Sequence, residues 1–153
     1  MTPSLHVDMR RVFETPETHQ TQPHNEFLVL LISSDLEGRR TVNGVLEALS
    51  VQVVWSSTVS QAREALEMLR PNMIFCEERL PDGGYVELLE LDYQGRISPP
   101  LVVLTRTGEW ELYIDATRRG AFDVIRSPWC PTDIELSLIR AAREEKNALR
   151  ATR

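Results

Sequence analysis

The chain is poor in histidine where histidine would count: His6, His19 and His24 all lie within the first 26 of its 153 residues. Everything beyond them lacks the side chain most often used as a general base and as a metal ligand. There are two cysteines, Cys76 within an apolar run and Cys130 in a proline-flanked loop, and no CxxC spacing. A zinc ribbon or a dithiol redox centre is thereby excluded, and both thiols are expected to be free. No apolar run approaches the roughly 20 residues that cross a bilayer, and the N-terminus carries charges in place of a signal-peptide core. The expected compartment is the cytoplasm, with no membrane partner. Basic residues are also few: 17 Lys and Arg stand against 23 Asp and Glu, a net charge of −6. Nucleic-acid binding needs clustered cations and is not expected. The one basic cluster, Arg140, Arg143, Lys146, Arg150 and Arg153, suits the C-terminal end of a helix dipole. No internal repeat is present, and no glycine-rich phosphate loop follows Ile32.

With 42% apolar and 26% charged residues the chain has the composition of a single globular core. Residues 1–26, with three prolines and no sustained apolar period, are expected to form a disordered tail, and residues 27–150 the folded domain. Five short apolar runs follow: Phe27 to Ile32, Val51 to Trp55, Met73 to Cys76, Leu101 to Leu104 and Phe122 to Ile125. Segments of helical period separate them, the alternation that signals a parallel α/β sheet. The spacing predicts helices over Leu36 to Leu49, Gln61 to Leu69, Tyr85 to Leu91, Glu109 to Arg119 and Thr132 to Arg150. Thr58, three residues before Gln61, suggests a capping box. Periodicity alone leaves a flavodoxin-like and a short Rossmann-like sheet both open.

The third run leads from buried Met73-Ile74-Phe75-Cys76 into Glu77-Glu78-Arg79 and the turn Leu80-Pro81-Asp82-Gly83-Gly84. A carboxylate at the end of such a strand lies where open α/β sheets place their chemistry. Together with Thr105 ending the fourth run, Gly120-Ala121-Phe122-Asp123, and Ser127-Pro128-Trp129 after the fifth, this segment resembles the receiver domains of two-component response regulators from Phe27 to about Arg143. The resemblance implies a flavodoxin-like fold, a five-stranded parallel sheet of order 2-1-3-4-5 with helices on both faces. It also implies a cis peptide before Pro128.

A working receiver holds Mg²⁺ with an acidic pair, phosphorylates an Asp on the third strand, and binds the phosphoryl oxygens with a Thr or Ser and a Lys. Those groups neutralise a crowded negative charge. At the corresponding places this chain has Ser33 and Ser34 for the acidic pair, Glu77 for the acceptor, Thr105 retained, and Ser127 for the Lys. Two hydroxyls supply no anionic oxygens for a hard cation, and Asp35 is better placed to cap a helix than to replace them. The extra methylene of Glu77 shifts its carboxylate by about a bond length, enough to disturb in-line attack. A Glu here imitates a phosphoryl group's charge only in part. Val124 stands where the family has a switching aromatic, so the usual Thr-aromatic coupling is not expected.

Arg79 and Arg106 flank the site and are candidate counter-charges for Glu77 or Asp35; an Arg-paired Glu77 is expected to have a lowered pKa. Trp110, Tyr113 and Trp129 are candidate interface residues, on the fourth helix and after the fifth strand. No metal, no cofactor and no catalysis are expected. The resemblance then implies a stand-alone signalling module that works by protein contact without phosphorylation. Its partner would be a histidine kinase, another regulator or a second copy as a homodimer. The alternative is a residual receiver phosphorylated by a kinase, and a small-ligand binder ranks last.

Overall fold

The structure is a computed structural model and describes residues 27–151; the tail expected over 1–26 lies outside them. Five strands form one parallel sheet: β1 (Leu28–Ile32), β2 (Gln52–Ser56), β3 (Met73–Glu77), β6 (Leu101–Thr105) and β7 (Asp123–Arg126), with β1, β3 and β6 buried throughout and the two edge strands partly so. Their order is β2-β1-β3-β6-β7, the flavodoxin-like order expected. Two further strands, β4 (Arg79–Leu80) and β5 (Gly83–Gly84), make a small antiparallel hairpin from the Leu-Pro-Asp-Gly-Gly turn. The helices are α1 (Leu36–Ala48), α2 (Val59–Met68), α3 (Tyr85–Leu89), α4 (Trp110–Arg118) and α5 (Pro131–Ala151).

Both faces of the central strands are covered, which is why β1, β3 and β6 read as unbroken apolar runs. Leu30, Ile32, Ile74, Cys76 and Val103 face α2, α3 and α4, against Ala62, Ala65, Leu66, Leu88 and Ala116. Leu31, Met73, Phe75, Val102 and Leu104 face α1 and α5, against Val42, Leu46, Ile134 and Leu138. Each such fully buried large side chain contributes about 1.5–3 kcal/mol, so two full layers fix the register firmly. That register sets Ile32 beside Cys76 and Glu77 beside Leu104. The C-terminal ends of β1, β3 and β6 therefore open into one crevice.

The start of α2 departs from the expected capping box. Thr58 accepts a hydrogen bond from the Gln61 N–H at 3.1 Å, but the Gln61 side-chain oxygen accepts from Ser57 N–H at 2.8 Å. A second acceptor comes from the hairpin: Asp82 takes the N–H groups of Val59 and Ser60 at 2.8 and 3.0 Å. The helix expected from Tyr85 stops at Leu89, two residues short.

Candidate functional site

Ser33 follows β1 directly and is buried, whereas Ser34 is exposed. The Ser33 hydroxyl accepts from the Asp35 N–H at 3.2 Å and donates to Glu77 Oε2. Asp35 is the N-cap of α1, accepting from Gly38 N–H at 2.9 Å. Glu77 ends β3 with only 7% of its surface exposed.

One cation of this crevice is Arg106, directly after β6. Its Nη2 lies 2.5 Å from Asp35 Oδ2 and 3.9 Å from Glu77 Oε2. Its guanidinium lies 4.7 Å from the centre of the Trp129 ring. Trp129 is buried and donates its indole N–H to the Thr105 carbonyl at 3.2 Å. The Trp129 ring reaches this position across Gly38, where a Cβ would stand 2.6 Å from Cζ3 and 3.0 Å from Arg106 Nη2.

A second arginine, missed in the sequence, closes the other flank. Arg39 Nη2 donates to the Ser33 carbonyl and the Ser57 hydroxyl, each at 2.7 Å, and its guanidinium lies over Trp55 at 4.5 Å. The signal was its spacing, one helical turn after Asp35.

Burial is the largest influence on Glu77 and pushes its pKa up; the Ser33 hydrogen bond and the charges of Arg106 and Arg39 pull the other way, while Asp35 adds to the rise. The net direction is upward, which corrects the expectation of a lowered value: a guanidinium at 3.9 Å, already committed to Asp35, does not offset desolvation. Asp35 goes down, held by the Gly38 N–H and by Arg106.

Two other expectations are corrected. Arg79 projects into solvent, 89% exposed at the side chain, with Nε 3.8 Å from Glu78 Oε2, and is no partner of Glu77 or Asp35. Trp129 is packed inside the crevice and offers no surface for an interface. Thr105 turns its hydroxyl away from Glu77 and donates to Glu78 Oε1 at 2.8 Å. Ser127 donates its N–H to the Thr105 carbonyl at 2.7 Å, and the Ser127–Pro128 peptide is cis. Val124 packs, partly buried, against the α2-α3-α4 side of the core. Trp110 and Tyr113 are exposed on α4, at 69% and 43%, with their rings stacked 5.4 Å apart and 10° from parallel.

A divalent cation does not fit these residues. Asp35 Oδ2 is occupied by a backbone N–H and a guanidinium, Glu77 Oε2 by Ser33, and the same guanidinium would repel a metal there. Among the described residues no group of three His, Cys, Asp or Glu side chains is placed to hold a metal ion. Nor is any helix among them long and apolar enough to cross a membrane.

No protein-family model matches the chain. It is 28% identical over 116 residues to the C4-dicarboxylate transport transcriptional regulatory protein DctD of Pseudomonas aeruginosa, a match covering 76% of this chain and 25% of that protein. It is 30% identical over 77 residues to the transcriptional regulatory protein DpiA of Escherichia coli K12, covering 50% of this chain and 34% of that one. The chain thus spans between a quarter and about a third of the length of these relatives. Among solved structures it is similar to a CheY-like response regulator receiver domain protein from Methanospirillum hungatei. The TM-score is 0.70 at 22% identity, covering 80% of this chain and 98% of that one. It is also similar to NtrX from Brucella abortus, with a TM-score of 0.73 at 24% identity over 83% of this chain and 29% of that one. The fold is that of the response regulator receiver domain.

Proposed function

We propose that this receiver-fold chain is a signalling module of, or beside, a two-component pathway, and that it works by protein contact without accepting a phosphoryl group. The observation that carries the reading is Arg106, clamped between Asp35 and the Trp129 face with its guanidinium 3.9 Å from Glu77. A receiver needs a divalent cation and a lysine to neutralise phosphoryl oxygens beside its acceptor. Here the positive charge is covalently part of the chain, and Ser33, Ser34 and Ser127 supply neither metal ligands nor a cation.

The remaining positions agree. Thr105 directs its hydroxyl to Glu78, and the acceptor is a glutamate already bonded by Ser33. Glu77 then serves as a fixed element of the crevice. The exposed Trp110 and Tyr113 on α4 are the surface a protein partner would use: a kinase, another regulator or a second copy.

Thermal denaturation with and without millimolar Mg²⁺ tests this reading. A ligand that binds only the folded state raises the melting temperature by mass action, so no change is expected here. A magnesium-dependent rise would restore the alternative, a residual phosphotransfer receiver.

A further inference from the structure

The chain has three tryptophans, and two of them carry an arginine on the ring. Arg39 lies over Trp55 at 4.5 Å and Arg106 over Trp129 at 4.7 Å; Arg140 covers Phe122 in the same manner at 5.0 Å. Trp110 breaks the pattern. It is the most exposed of the three, and among the described residues its ring partner is Tyr113, stacked nearly parallel to it.

Each ring covers one face of the other, so the pair is a stiffened plate whose open surface is the outer face of Trp110, and an aromatic face is where a planar cation is attracted. The charges beside it point the same way. Glu109 and Glu111 flank Trp110 in sequence at the start of α4 and are both exposed. Among the described residues neither has an ion-pair partner: Arg106 is engaged on Asp35 and Arg119 on Asp115 and Glu90, while Arg118 on the same helix and Arg126 against the turn at Gly108 make no ion pair with them. Their place in the first turn offsets the helix dipole, but that role needs no exposed indole between them.

We infer that the Trp110–Tyr113 plate, with Glu109 and Glu111 at its side, binds an arginine-bearing segment of a partner protein. The inference rests on the proposed use of α4 as the contact face and names the chemistry of what docks there. A guanidinium stacks flat on the indole and directs its N–H groups outward to the two carboxylates, which a compact ammonium cannot do equally well. The geometry would be the one this chain already builds internally at Trp55 and Trp129. Apolar side chains of the segment would cover Tyr113. Charge attraction from the glutamates would speed the encounter and make it salt-dependent.

The test uses the full chain and two fluorescein-labelled synthetic peptides of sequence Gly-Leu-X-X-Leu-Gly, with X arginine in one and citrulline in the other. Citrulline keeps the shape and loses the charge. Anisotropy titration is expected to show the arginine peptide binding about tenfold more tightly than the citrulline peptide, and Trp110→Ala removing that advantage. The double variant E109Q/E111Q should weaken binding about threefold and flatten its salt dependence. Because these side chains are exposed, and the two glutamates give up only a small helix-dipole contribution, melting temperatures of the variants should stay close to that of the parent, which separates lost binding from lost folding.

Equal affinity for the two peptides, no binding of either at millimolar concentration, or an unchanged titration for Trp110→Ala would overturn the inference. So would sedimentation showing that the chain dimerises without peptide and that Trp110→Ala abolishes the dimer, since a second copy would then be the occupant. None of these outcomes involves magnesium or phosphoryl transfer, so the failure of this inference and the failure of the phosphorylation-independent reading are seen in different measurements.

Discussion

The Arg106 guanidinium and the Asp35 carboxylate, 71 positions apart in the chain, meet at 2.5 Å across the mouth of the sheet. Their pair joins the turn after β6 to the first turn of α1, and the stacking of Arg106 on Trp129 extends the tie to the start of α5.

Replacing Arg106 with Ala should therefore be felt by both acids. Arg106 lowers the pKa of Glu77 and of Asp35, so both titration midpoints should move up, as read from side-chain carboxyl carbon shifts by NMR. Trp129 emission should change in the same variant. Unchanged titration of Glu77 would mean that Arg106 does not act on it.

Glu77 should make stability fall as pH rises. Its folded pKa lies above its unfolded value because burial disfavours the charged form. The folded state then holds the proton more tightly, so the contribution is complete below the unfolded pKa and is lost as pH rises through the folded one. Glu77→Gln removes that dependence. The stability of the wild type relative to Glu77→Gln, measured by urea unfolding from pH 4 to 8, should decline with pH. Asp35 and Asp82 are shifted down and act in the opposite sense, but both variants retain them, so the difference reports Glu77. A difference that grows with pH would contradict the account.

Gly38→Ala weighs two effects of known size. Alanine in a helix interior is favoured over glycine by about 1 kcal/mol. Here its methyl would stand 2.6 Å from the buried Trp129 ring, an overpacking that costs about 1–3 kcal/mol. The expected net result is a loss of about 1 kcal/mol in urea denaturation, with altered Trp129 fluorescence. A stabilised Gly38→Ala protein would show that the ring is free to move aside.

Asp82 holds two N–H groups at the start of α2. Its side chain is exposed, and the desolvation that works against its charge is outweighed by these hydrogen bonds, so its pKa is lowered. Asp82→Ala should cost about 1 kcal/mol, as for a lost helix cap. The loss should be present above the unfolded pKa of the acid and fade as pH falls through the folded one. Equal stability of the two proteins at pH 7 would contradict this.

The sheet was legible because strands buried on both faces must be nearly continuous in apolar residues, as Phe27 to Ile32 and Leu101 to Leu104 are; its order came from the resemblance. The crevice was legible in its positions but not in its contacts. Arg79 and Arg106 both follow strand ends, and only the backbone decides between them. Arg79 lies on the outward side of the β4–β5 hairpin beside buried Leu80, while Arg106, directly after β6, reaches Asp35 at the start of α1. Trp129 reads from sequence as a loop aromatic after a proline. Its burial depends on the gap left by Gly38, which no local pattern discloses. The pKa direction of Glu77 was misjudged because a nearby arginine was weighed without the cost of burial, a quantity that packing alone supplies.

The central claim, that a built-in guanidinium has taken the place of the metal and lysine and ended phosphoryl acceptance, is tested most directly by intact-mass spectrometry of the full chain after incubation with acetyl phosphate and Mg²⁺. The account predicts an unchanged mass. A stoichiometric phosphoryl adduct localised to Glu77, and absent in Glu77→Gln, would contradict it.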